Sequence, residues 1–92
     1  MSRVERQLAD AMIAPSQIRA ARGLLDISQA ELAIRSGVGL ATIRRIENAR
    51  ELRVTVQVLL RIQQALERGG IIFIDQDAQA GPGVRLRRPI QP

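Results

Sequence analysis

Apolar residues recur at helical spacing along most of this chain and then switch to the alternation of strands near its end. Val4, Leu8, Ala11 and Met12 mark a short amphipathic helix or an arm within residues 1–14. Pro15 and Ser16 follow, and Ser16 is placed to cap a helix to about Leu24 with Ile18, Ala21, Leu24 and Leu25 on its apolar face. After a link at Asp26 and Ile27, Ser28 and Glu31 form an S-x-x-E capping box ahead of Leu32. That second helix ends near Ser36, because Gly37 can take the left-handed conformation that closes a helix at no steric cost. A third helix runs from about Leu40 to Asn48, with Ile43 and Ile46 turned inward and Leu40 beside them.

Ala49 to Arg53 is a polar connection. A further helix spans about Thr55 to Arg68, where Val56, Leu59, Leu60, Ile62 and Leu66 form one stripe broken by Gln63. Gly69-Gly70 stops it. Ile71 to Asp75 and Val84 to Arg88 read as two strands around a turn holding Gly81-Pro82-Gly83. A lone two-stranded hairpin is barely stable in water, so this one must pack on the helices or pair with a second subunit.

Two helices joined at Gly37, with small Ala33 at their crossing and Arg44 and Arg45 adjacent on the second, have the layout of a helix-turn-helix. Ser36 departs from that template, standing where an apolar residue is more usual. Composition narrows the function. The chain has 92 residues, no cysteine and no histidine, so disulfides, thiolate metal sites and the usual general base are missing. Carboxylates are not clustered, which leaves no materials for an active site and no need of a metal or cofactor; an enzyme is not expected. The Gly81-Pro82-Gly83-Val84 run lacks the strand-then-helix setting of a phosphate loop.

All 14 basic residues are arginine and the net charge is +5. Arginine forks to phosphate and to guanine, so an acidic partner is expected. Phe73 is the only aromatic residue, leaving a small aliphatic core that dimerisation would support. No apolar run reaches the length of a signal peptide or membrane span, so a cytoplasmic protein without a membrane partner is expected.

The stretches QIRAARGLL and SQAELAIRSGVGLATIRRIEN resemble the Cro/phage-repressor (XRE-type) class of helix-turn-helix regulators over about residues 16–68. The C-terminal IIFID and GPGVRL pieces are similar to those of small bacterial regulators of this class. The resemblance implies a mainly α fold: a four- to five-helix repressor-like domain over residues 15–68, preceded by an arm or helix at 1–14. Residues 69–92 would form a short β-hairpin and tail that could join two subunits. It also implies double-stranded DNA as partner and a homodimer as the binding form. Position by position, it implies a phosphate contact at Gln29, base-edge or groove-wall contacts from Leu40, Ala41, Arg44 and Arg45, and a phosphate contact at Thr42. Asn48, Arg50 and Arg53 would grip the DNA backbone, and Arg22 with Glu47 would form a structural ion pair. Gly39, Leu40 and Ala41 put an apolar start on a helix that a DNA reader would make polar. The alternative is therefore a helix-turn-helix antiactivator or antitoxin-like protein that binds a transcription factor in place of DNA.

Overall fold

The computed structural model describes residues 13–48 and 54–90. Residues 1–12 of the arm expected at 1–14, and Arg50 and Arg53 in the connection, lie outside the described residues. Four helices and one hairpin follow in order: α1 (Pro15–Leu25), α2 (Gln29–Ser36), α3 (Leu40–Asn48), α4 (Val56–Arg68), β1 (Ile71–Ile74) and β2 (Gly83–Leu86).

α1 starts two residues earlier than a cap at Ser16 predicts. Ala14 is its N-cap and Pro15 its first residue, where a missing N–H costs nothing because no helical partner exists for it. Ser16 is exposed within the first turn. The Gln17 side chain takes over the capping role, its Oε1 accepting from the Ala14 N–H at 2.7 Å. Asp26 closes α1 in the left-handed region at φ 54. Leu24, expected on the buried face, is 40% exposed, and Gln17 is buried in its stead.

Only half of the expected capping box forms on α2. The Ser28 hydroxyl accepts from the Glu31 N–H at 3.0 Å. The Glu31 carboxylate turns to Arg35, one helical turn on, at 3.0 Å. Both groups are solvated there, so this pair adds little. Thr55 caps α4 by accepting from the Val58 N–H at 3.2 Å.

The core collects Ile18 and Ala21 from α1, Leu32 from α2, Ile43 and Ile46 from α3, Leu59, Ile62, Ala65 and Leu66 from α4, Ile71 from β1, Ile13 from ahead of α1 and Val38 from the turn between α2 and α3. Leu60 lies at the rim of the α4 stripe, 43% exposed. Gly69 sits in a tight place: a Cβ there would lie 2.9 Å from Leu25 Cδ1, which would have to shift, and 3.3 Å from the Leu66 carbonyl oxygen.

β1 and β2 pair antiparallel, with Ile71 opposite Leu86 and Ile74 opposite Gly83. Each strand ends one or two residues short of its expected end. The hairpin packs on the helices. Ile71 enters the core, and the Gln17 amide donates to the carbonyls of Ile74 at 3.3 Å and Gly83 at 3.0 Å. Arg87 adds a guanidinium hydrogen bond to the Glu67 carbonyl in the last turn of α4, where a cation also suits the helix dipole.

Candidate nucleic-acid interface

The turn between α2 and α3 is built from Ser36 and the three residues that follow it. Gly37 ends α2 in the left-handed region at φ 72. Ser36 is buried, and its hydroxyl accepts from the Val38 N–H at 3.2 Å while donating to the Ala33 carbonyl at 3.4 Å. The polar residue that broke the template thus satisfies a turn amide that an apolar side chain would leave unpaired. Val38 then drops into the core, and Gly39 supplies the carbonyl that accepts from Ile43 N–H at 3.0 Å as α3 begins.

α3 divides sharply into two faces. Ile43, Ile46 and Glu47 are buried, at 0%, 1% and 2% exposure. Ala41, Arg44, Arg45 and Asn48 are exposed, and Leu40 and Thr42 are half-buried at the margin. Positions 41, 44, 45 and 48 share a stripe because residues three and four apart stack on one helix face. Neither Arg44 nor Arg45 makes a hydrogen bond or ion pair among the described residues. Their guanidinium groups stand on the open side of a helix whose opposite side is fixed.

What fixes it is Glu47. Its carboxylate receives a two-pronged grip from Arg22 on α1, Nε to Oε2 and Nη2 to Oε1, each at 2.7 Å. The remaining Nη1 of Arg22 donates to the Ile27 carbonyl at 3.0 Å. The hydrogen bonds to Glu47 raise the Arg22 pKa above its ordinary value, and burial opposes them. Gln29, first residue of α2, turns its amide to Glu47 Oε1 at 3.3 Å. α1, α2 and α3 therefore meet at one carboxylate.

Arg19 does not stand out in the sequence, yet its guanidinium donates to the Glu47 main-chain carbonyl. The available signal is its place one turn before Arg22 on α1. The contact residues expected from sequence within the described part of the chain, Gln29, Leu40, Ala41, Thr42, Arg44, Arg45 and Asn48, lie on the start of α2 and along α3.

A scaffold that presents one helix by locking another across its back is a helix-turn-helix. A helix-turn-helix family model matches residues 18–69, more than half of the chain. The chain belongs to the Cro/C1-type helix-turn-helix family. This is a family of DNA-binding regulators and not an enzyme family. No curated protein shows significant similarity to the chain. Among the described residues, no helix is long and apolar enough to cross a membrane.

Proposed function

We propose that this protein is a sequence-specific transcriptional regulator that binds double-stranded DNA as a homodimer, with α3 in the major groove. The observation that carries the reading is the exposed stripe of Ala41, Arg44, Arg45 and Asn48 on a helix whose other face is buried. Arg44 and Arg45 read base edges, where a guanidinium donates twice to guanine O6 and N7. Leu40 and Ala41 touch thymine methyls or the groove wall. Thr42, Asn48, Arg50 and Arg53 hold phosphates and set register without specifying sequence. Gln29 meets phosphate through its main-chain N–H, which as the first of α2 has no helical acceptor; its side chain stays on Glu47.

Selection from random DNA at two salt concentrations tests this. The expected product is a near-palindrome whose half-sites are about one helical turn apart, with affinity falling steeply as salt rises. Arg44→Ala with Arg45→Ala should cost about 1–3 kcal/mol of binding for each arginine that reads a base. Unchanged binding and unchanged site preference in that double variant would sink the assignment.

A second reading is favoured by two observations: Ile34 on α2 is 77% exposed, and the Gly39-Leu40-Ala41 stretch at the start of α3 offers no side-chain hydrogen bond. A helix-turn-helix antiactivator would use such apolar ground to cover another protein. Recovery of no DNA even at low salt, together with salt-insensitive capture of a transcription factor, selects it.

A further inference from the structure

The foot of the hairpin and the end of α4 enclose a cleft of about 370 Å³, lined by Arg68, Gly69, Gly70, Leu86, Arg87 and Arg88. Three of these residues are arginines and none is a carboxylate. Arg68 closes α4, and Arg87 and Arg88 follow β2, so the folding of the hairpin onto the helix is what gathers the three charges. Like charges so gathered repel, and concave walls of low dielectric focus their field. Among the described residues the ion pairs are Arg22 with Glu47 and Arg35 with Glu31. No anion answers these three guanidinium groups.

Two of the arginines are held by uncharged partners. Arg68 Nη2 donates to the Arg35 carbonyl in the last turn of α2 at 3.2 Å. Arg87 Nη2 donates to the Glu67 carbonyl at 2.9 Å. A guanidinium carries five N–H donors, so each keeps most of its fork for a ligand. Arg88 makes no side-chain hydrogen bond among the described residues. The α4 carbonyls that would repel an anion are already occupied, Ala65 by the Gly69 N–H at 3.1 Å and Glu67 by the Gly70 N–H at 3.0 Å. Gly70, at φ 108, puts no side chain into the space, and a Cβ there would meet nothing within 4 Å.

We propose that this cleft binds a small polyanionic metabolite whose charge sits on two phosphates, a diphosphate or a bisphosphate. Arginine forks match phosphate oxygens two at a time, and three forks serve more oxygens than one phosphate offers. The volume falls at the lower end of small-molecule sites, roughly 300–1,000 Å³. That is room for a compact metabolite, whereas a polymer would fill it with only one or two of its units. Leu86 is the one apolar side chain in the lining, and no aromatic ring stands there for a base to stack on. Recognition is therefore by charge. The hairpin packs mainly on α1 and α4, and α3 mainly on α1 and α2, so this site is separate from the exposed stripe of α3 and does not depend on what that stripe reads.

The test is inorganic pyrophosphate titrated into the full-length protein, followed by calorimetry and by amide NMR. Binding should saturate at a single site per chain. Shifts should centre on residues 68–70 and 86–88, with a smaller set at 35–37 relayed through Arg68. Orthophosphate should bind about tenfold more weakly, and Arg88→Gln and Arg68→Gln should each weaken pyrophosphate about tenfold, the loss of one charged hydrogen bond. Arg88→Gln removes no internal side-chain bond, so its melting temperature should match wild type. Arg61→Gln, at an exposed arginine of α4 outside the cleft, should bind as wild type does. Binding that does not saturate, shifts centred on α3, or undiminished binding by both cleft variants would each overturn the site. Tighter binding of hexaglutamate than of pyrophosphate would overturn it in favour of an acidic peptide. Cleft variants that lose duplex DNA and keep pyrophosphate would make the three arginines a DNA-backbone contact instead.

Discussion

Two buried polar side chains, Glu47 and Gln17, secure the two ends of this molecule on different terms. Glu47 is a charge, 2% exposed, gripped by an arginine fork and by a glutamine amide, and it binds three helices together. Gln17 is neutral, 6% exposed, and holds the start of α1 to both strands of the hairpin through one accepting and two donating contacts. A buried charge that loses its partner cannot be left as it is, whereas a neutral amide that loses one can be rehydrated at modest cost. The helix presented to a ligand is thus the more firmly posted of the two, and the hairpin is able to loosen without disturbing it.

Three changes break or sharpen this contrast. Glu47→Ala has the largest effect. It leaves the Arg22 guanidinium, whose side chain is only 20% exposed, without its anion, at a cost of about 3–5 kcal/mol. Thermal or urea unfolding reads this directly, and destabilisation under about 1 kcal/mol, the level of a surface pair, would show that the two side chains are not a structural lock. Gln17→Ala comes next, at about 1–3 kcal/mol for carbonyls and an amide left unpaired. Its mark is local: amide exchange should quicken in β1 and β2 and hold steady in α3. Equal quickening in both would mean that the two regions unfold as one.

The smallest effect belongs to the hairpin tip. Asp77 accepts from the N–H groups of Gln79 at 2.8 Å and Ala80 at 2.9 Å, and these bonds lower its pKa below the ordinary value. A pKa lowered by folding means the ionised form is favoured in the folded state. The contribution is therefore present above the unfolded pKa and fades as pH falls below about 4 and through the folded value. Asp77→Asn should make the chemical shifts of those two amides insensitive to acid over that window, with the helices unaffected. NMR titration of the two amide shifts in wild type and variant checks it.

Much of the fold was legible because its causes are local. Ser28 caps the residue three beyond it, Gly37 and Gly69-Gly70 end helices, and Ile43 and Ile46 repeat at helical spacing. Where the cause lies far along the chain, sequence reasoning failed. Nothing near Gln17 announces that its amide bridges strands 57 and 66 residues away. Ser16 has the chemistry of a cap, yet Pro15 is better suited to the first helical position and moves the start back. Glu31 has two acceptable partners, and its choice of Arg35 depends on geometry the pattern does not carry. The pairing of Arg22 with Glu47 follows from family resemblance, not from spacing. In the candidate interface the exposed stripe at 41, 44, 45 and 48 follows from helical period alone. The turning of the Gln29 amide toward Glu47 does not.

Gly69 carries one more consequence. Gly69 and Gly70 alone separate α4 from β1, and their N–H groups donate to the Ala65 and Glu67 carbonyls of α4 at 3.1 and 3.0 Å, so the hairpin follows the helix without a free linker. Mounted in this way, it cannot take up at its base a shift of one residue in strand register, which would reverse the face every side chain presents.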